Sequence, residues 1–196
     1  MSARKANRRQ WLQLASASAA AFVVGCQNPR WTRVRQASGR PFKSETKFGV
    51  EPMHFEGMVV AGTTEEKFLA TKNEDLRKLW ETDRATMSQT FVDRLIAEQG
   101  LRITAAATPV EEGSYVIRTQ VTKLEPGSFA GVVVQETEVH VTVLIVDAAG
   151  ATADEFQLRT TVPAGATNPS TGGRLRAAAN QLAVDTSKYI YARISG

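Results

Sequence analysis

One stretch limits the fold more than any other. Val139, Val141, Val143 and Ile145 recur at every second position, Asp147-Ala148-Ala149-Gly150 follows, and Phe156, Leu158, Thr160 and Val162 resume the alternation. Period two places one set of side chains on one face of a strand, and the Asp-to-Gly tetrapeptide reads as a hairpin turn. A chain with such a hairpin must build a sheet with one buried face, and that face needs a cover.

Two helical patterns supply the cover. Asn73 is a capping residue, and after it Leu76, Leu79, Trp80, Met87, Phe91, Leu95 and Ile96 recur at spacings of three, four and seven. This predicts a helix running to Gln99, with Gly100 at the left-handed C′ position. From about Thr171, the residues Leu175, Ala178, Ala179, Leu182, Thr186, Tyr189, Ile190 and Arg193 fall on one stripe of a second helix. Shorter strand signals complete the set: Phe55–Val60, Leu101–Ala105, and Tyr115, Ile117, Thr119 and Val121 ahead of Pro126-Gly127. The order β-α-β-β-β-β-α implies an α+β domain, a two-layer sandwich with a mainly antiparallel sheet and two helices on one face. Arg118, Gln120, Thr142, Gln157 and Arg159 would line the other, polar face.

The N-terminal stretch is of another kind. Met1–Arg9 is basic, and the fifteen residues Trp11–Gly25 form an apolar run interrupted by Gln13, Ser16 and Ser18. A membrane span needs about 20 apolar residues, whereas a basic start, a short apolar run and small residues before a cut define an export signal. Val23-Val24-Gly25-Cys26 resembles the lipobox of bacterial lipoproteins. The resemblance implies cleavage between Gly25 and Cys26 and a lipid on Cys26, the only cysteine of the chain. Arg8-Arg9-Gln10-Trp11-Leu12 resembles a twin-arginine export motif, with Asn7 and Gln13 departing from its pattern. Both Sec and twin-arginine export stay open. Gln27 lacks the Asp that enterobacterial sorting rules associate with the inner membrane, so the resemblance implies an outer-membrane lipoprotein facing the periplasm. The expected organisation is a cleaved signal over 1–25, a lipid-anchored basic flexible tether over 26–50, and one α+β domain over 51–196.

Charge follows that division. The formal net charge is +4, but residues 1–25 hold four basic residues and no acid. Residues 26–47 carry six basic residues and one acid, while residues 48–196 set 14 basic residues against 19 acids. An acidic domain lacks the basic footprint of a nucleic-acid binder, so nucleic acid is not an expected partner.

Over Met53–Ile194 the organisation resembles uncharacterised bacterial lipoproteins whose domain is similar to the N-terminal domain of TolB and the periplasmic domain of the curli lipoprotein CsgG. Ser114–Ile117, Val141–Gly150 and Leu175–Tyr191 carry the resemblance. It implies an envelope domain used for contacts with other proteins.

Reactive chemistry is sparse. The two histidines, His54 and His140, have no partners at the spacing of a zinc site or a hydrolytic triad. Gly127-Ser128-Phe129-Ala130-Gly131 is not a nucleophile elbow, since its serine falls one place early. Thr167–Arg174 is rich in glycine and opens a helix but lacks the lysine of a phosphate loop, and capping by Ser170 or Thr171 accounts for it. No catalytic residue, metal ligand or cofactor is assigned, and an enzyme is not expected. GSFAGVVVQ, residues 127–135, allows two readings. It extends a neighbouring strand beneath the first helix, or it forms an apolar hairpin whose Phe129, Val132 and Val133 meet a partner. The expectation is a lipid-anchored, non-catalytic interaction or assembly component of the cell envelope. The alternative is an accessory lipoprotein of an envelope transport system that handles lipid or another substrate in a cavity between sheet and helices.

Overall fold

The computed structural model describes residues 30–106, 111–130 and 133–196. In chain order the elements are β1 (Trp31–Gln36), β2 (Lys47–Val50), β3 (Val59–Val60), β4 (Thr63–Thr64), α1 (Glu65–Ala70) and α2 (Glu74–Ile96), then β5 (Arg102–Ala105), β6 (Tyr115–Glu125), β7 (Ser128–Ala130), β8 (Val133–Gln135), β9 (Thr137–Asp147), β10 (Thr152–Val162) and α3 (Thr171–Ser195). The class is α+β. The main sheet runs β1-β10-β9-β6-β2-β5, with β3 beside β6 and β4 beside β3.

The predicted hairpin forms the centre. β9 and β10 pair antiparallel from Thr137↔Val162 to Thr152↔Val146, and the turn closes where Asp147 Oδ1 accepts from the amides of Ala149 and Ala151. Val139, Val141, Val143, Ile145, Phe156 and Leu158 are buried, as are Ile117 and Val121 across on β6. Against them lies the stripe of α3, from Leu175 through Ala178, Ala179, Leu182 and Thr186 to Tyr189, Ile190 and Arg193, every one buried. These residues fill the space between the sheet and α3. Burying a large aliphatic side chain contributes roughly 1.5–3 kcal/mol, so this layer is the main source of stability. On the opposite face of the sheet Arg118, Gln157 and Arg159 are exposed, and Gln120 and Thr142 are half-buried.

Asn73 caps α2 through its side chain, which accepts from the Leu76 amide at 2.9 Å. Gly100 does not end that helix. The cap is Ala97, and Gly100, at φ +88°, turns the chain into β5. α2 and α3 run side by side in the same direction. Gly172 at the start of α3 abuts Asp83 of α2, and near the other end the Tyr191 hydroxyl donates to the Gln99 carbonyl. The first nine residues of α2 therefore extend beyond the start of α3, by about 13 Å at the helical rise.

Three expectations are corrected or refined. First, residues 30–50 are not a tether. β1 pairs antiparallel with β10, and β2 inserts in parallel between β5 and β6. Between them Phe42 is buried against Phe48 and Tyr115, at ring separations of 5.4 and 4.9 Å. The reason is positional: β10 offers an open edge, and a charged, non-alternating segment such as WTRVRQ can occupy it because an edge strand tolerates charge. Second, the sheet is mainly antiparallel, as expected, but mixed: β2 lies parallel to β5 and β6, and β3 parallel to β6, pairings that strand spacing did not give. Third, Phe55–Val60 is not one strand. His54 makes a lone bridge to Gln120 and only Val59–Val60 pairs with β6, since Gly57 at φ +74° bends the chain between them. The unpredicted α1 follows this bend and leads into α2.

Residues Arg8, Arg9, Gly25 and Cys26 lie outside the described residues, so the signal and lipid-attachment readings stand as sequence expectations. No helix among the described residues is long and apolar enough to cross a membrane.

Candidate functional site

The sheet has two ends. At the turn end lie the β9–β10 turn and the C-terminus of α3. At the other end β6 stops, β9 begins, and the chain between them departs from the sheet. There Ser128–Ala130 and Val133–Gln135 pair only with each other, as a two-stranded ribbon. Ser128–Ala130 and Val133–Gln135 thus form a separate ribbon and do not extend the neighbouring strand. Val132 lies outside the described residues, as do the side chains of Phe129 and Val133.

Two residues fix the ribbon's base. Gly127 has φ +65°, and a Cβ there would come within 2.5 Å of the Gln135 carbonyl oxygen and 2.7 Å of that of Glu136. Only glycine permits that approach. Beneath it lies Arg174, 1% exposed. Its Nε donates to Thr137 Oγ1 at 2.7 Å, Nη1 to the carbonyls of Pro169 and Asn168 at 2.6 and 3.3 Å, and Nη2 to the Pro126 carbonyl and Thr171 Oγ1 at 3.1 and 3.3 Å. Five donors meet five neutral acceptors. Burial holds the guanidinium pKa below its ordinary value. The residue ties together the ribbon base, the loop before α3 and α3 itself. It sits four residues before Ala178 on the buried stripe, which is the one sequence signal that marked it.

The start of α3 is filled from within. Ser170 caps it, accepting from the Gly173 amide at 3.1 Å. The Asp83 carboxylate presses on Gly172, where a Cβ would sit 2.0 Å from Oδ1. Burial raises the Asp83 pKa, with Arg176 opposing. The position a phosphate would take at a helix N-terminus has a carboxylate of the chain beside it.

This end also holds an apolar groove bordered by charged residues. α1 is bound to α2 by Glu65, which accepts from Trp80 Nε1 at 2.6 Å and Arg84 Nη1 at 2.9 Å. That contact sets Phe68 against Trp80 with ring centroids 5.1 Å apart. Leu76 and Leu79, expected in the core, are 48% and 54% exposed, because they lie on the part of α2 that overhangs α3. With Phe68, Trp80 and Pro126 they line a groove of about 330 Å³, edged by Lys72 and Asp83. α2 forms where the spacing predicts it, but its first turns face this groove and not the core, and Ile96 at its end is also exposed.

The solvent face of the sheet carries an ion cluster. Glu138 faces His140 Nε2 and takes a hydrogen bond from Arg159 Nη2 at 3.0 Å, with Lys123 Nζ 3.7 Å away. The His140 bond, then Arg159, hold its carboxyl below the usual range against the opposing effect of burial. Nearby, Arg118 Nε reaches both oxygens of Glu51 at 3.1 Å, and His54 is 3.5 Å from the same carboxylate. Among the described residues no three His, Cys, Asp or Glu side chains are grouped to hold a metal.

Finally, β1 is the outermost strand. Every residue of it except Trp31 is exposed, and its outer edge pairs with no described strand. Arg30, Arg33 and Arg35 make that edge basic.

No family model matches the chain, and no curated protein does. Among solved structures it is similar to the PelC dodecamer from Paraburkholderia phytofirmans, at 16% identity over 82% of this chain and 96% of that one, with a TM-score of 0.45. It is similar to the hypothetical protein CT253 from Chlamydia trachomatis, at 11% identity over 75% and 98%, with a TM-score of 0.45. A third is protein XCC0632 from Xanthomonas campestris, at 10% identity over 82% and 92%, with a TM-score of 0.46.

Proposed function

We propose that this protein is a lipid-anchored component of the bacterial cell envelope, held to the outer membrane through Cys26, that works by contact with other envelope proteins and not by catalysis. The observation that carries the contact reading is the edge of β1. Alternate residues along the six of β1 present unpaired backbone groups at one side of the sheet, and an exposed edge of that length accepts an added strand. Arg30, Arg33 and Arg35 favour an acidic extended segment as the added strand. The anchor reading rests on the lipobox resemblance at Val23–Cys26 and on the export signal before it.

The alternative of a lipid-handling accessory needs a cavity between sheet and helices. That layer is filled by Val141, Val143, Phe156, Leu182 and Ile190, which draws support away from it.

Two measurements test the proposal. Labelled palmitate should enter the wild-type chain in cells and not Cys26→Ala, which should leave the membrane fraction. A photo-crosslinking residue at Val34, 53% exposed on β1, should capture another envelope protein in intact cells. Recovery of uncrosslinked monomer alone would sink the contact reading.

A further inference from the structure

The course of β1 fixes how an anchored domain would stand on its membrane. β1 runs antiparallel to β10, with Trp31 opposite Leu158 and Gln36 opposite Asp154. The chain therefore enters the sheet from the ribbon end. Arg30 lines one cavity with Thr160 and Thr161 near the end of β10, Pro163 just beyond it, and Gln181 of α3. From Trp31's partner Leu158 to Val162, where β10 ends, the sheet rises four residues, about 13 Å. From Cys26 to Arg30 there are also four residues, and a fully extended chain of that length spans at most about 14 Å. An anchor on Cys26 can only just reach the level of the ribbon end. The domain has no slack to stand away from the bilayer or to turn its other end toward it.

Two exposed leucines and an uncharged loop lie at that end, among the exposed charges of Glu74, Asp75, Arg77, Lys78 and Glu81. The overhanging part of α2 exposes Leu76 and Leu79 beyond the start of α3. The β6–β9 connection leaves from the same end, and from Pro126 to Gln135 it contains no charged residue while including Phe129 and three valines. Lys72 lies over the Phe68 ring and Lys78 pairs with Glu74, and both stems are long enough to lie on apolar surface with the ammonium at the headgroup level. We infer that the ribbon end is the membrane-facing end of this domain, with Leu76 and Leu79 resting in the interface of the leaflet that holds the anchor. The inference rests on the anchoring reading above and adds the orientation. It also leaves β1's edge and the polar sheet face upright beside the membrane, accessible to partners.

The test uses the full-length acylated chain purified from membranes. Its one native cysteine would be consumed as a thioether, so a bimane label goes only to an introduced thiol. Leu79→Cys and Leu76→Cys report the ribbon end, and Ala149→Cys, exposed in the β9–β10 turn, reports the turn end. Each is reconstituted into vesicles of phosphatidylethanolamine and phosphatidylglycerol with brominated acyl chains. Labels at 76 and 79 should be quenched several-fold more than the label at 149. Protein that floats with the vesicles but shows equal quenching at both ends, or more at 149, overturns the orientation while leaving the anchor intact. Wild-type protein that fails to float and carries no acyl group overturns the anchor and the orientation with it. A photo-crosslinker at Leu79 that yields a protein adduct in place of a lipid adduct in cells also overturns the orientation.

Discussion

Arg193 and Asp154 form a buried ion pair that holds the chain between β1 and β2 onto the domain. Arg193 Nε donates to Asp154 Oδ2 at 2.7 Å, and both side chains are almost wholly excluded from solvent. The pair is completed from three directions. Tyr189 donates its hydroxyl to Asp154 Oδ2 at 2.9 Å, the Ala37 amide donates to Oδ1 at 2.9 Å, and Arg193 donates onward to the carbonyls of Ala37 and Gly39 at 2.9 and 3.2 Å. Removing one partner leaves the other as an uncompensated buried charge. Arg193→Met is expected to cost about 3–5 kcal/mol, read as a lower urea midpoint. Tyr189→Phe keeps the pair and is expected to cost about 1 kcal/mol. Hydrogen exchange should place the Arg193→Met effect first at residues 37–42.

Gly172 and Asp83 give a sign reversal. A methyl at position 172 meets the Asp83 carboxylate, so Gly172→Ala alone should destabilise by about 1–3 kcal/mol. With Asp83→Ala the obstacle is gone, and the same Gly172→Ala should become neutral or stabilising by up to about 1 kcal/mol, the usual helix gain of alanine over glycine. A double-mutant cycle by denaturant melts reads this directly.

Asp83 also predicts a pH dependence. Its folded pKa is raised by burial, so between its unfolded value and that raised value the folded state binds more protons than the unfolded. Stability from this group is therefore present at low pH and is lost as pH rises through the folded pKa. Asp83→Asn should gain stability relative to wild type across that window and match it more closely below. A difference between the two proteins that is constant with pH would contradict this assignment.

Gly127→Ala should detach the ribbon without unfolding the sheet. Its Cβ would strike two carbonyl oxygens and its φ is left-handed, a strain of about 1–3 kcal/mol. Limited proteolysis between residues 126 and 136 should accelerate while the near-ultraviolet spectrum of the core persists.

Arg174→Leu should act on the same region more severely. It removes the charged hydrogen bonds that tie Thr137, the Pro126 carbonyl and the loop before α3 to a side chain only 1% exposed, and hydrogen bonds to a charged group contribute about 1.5–3 kcal/mol. Arg174→Lys should recover only part, since an ammonium cannot reach acceptors on three segments at once.

The sequence by itself determined the elements that carry periodicity. The β9–β10 hairpin, its turn, β6, α2 with its Asn73 cap and the fully buried stripe of α3 all follow from spacing, because a regular element with one buried face must repeat its apolar residues at the element's own period. Arg193 falls on the stripe of α3 that the spacing marks, whereas Asp154, two residues before Phe156 on the inward face of β10, is not among the residues that the alternation names. What the pattern could not say is that they meet each other, since that depends on which turn of α3 lies over which residue of β10.

Tertiary structure alone decided the rest. β1 and β2 exist because open strands were there to pair with, and pairing to a neighbour's backbone leaves little trace in side-chain order. Leu76 and Leu79 have the spacing of core residues, yet they lie exposed because α2 is longer at its start than the helix beside it. The same offset leaves Leu76 and Leu79 exposed at the end of the sheet from which β1 enters. Periodicity fixes a face, but only packing against another element determines whether that face is covered.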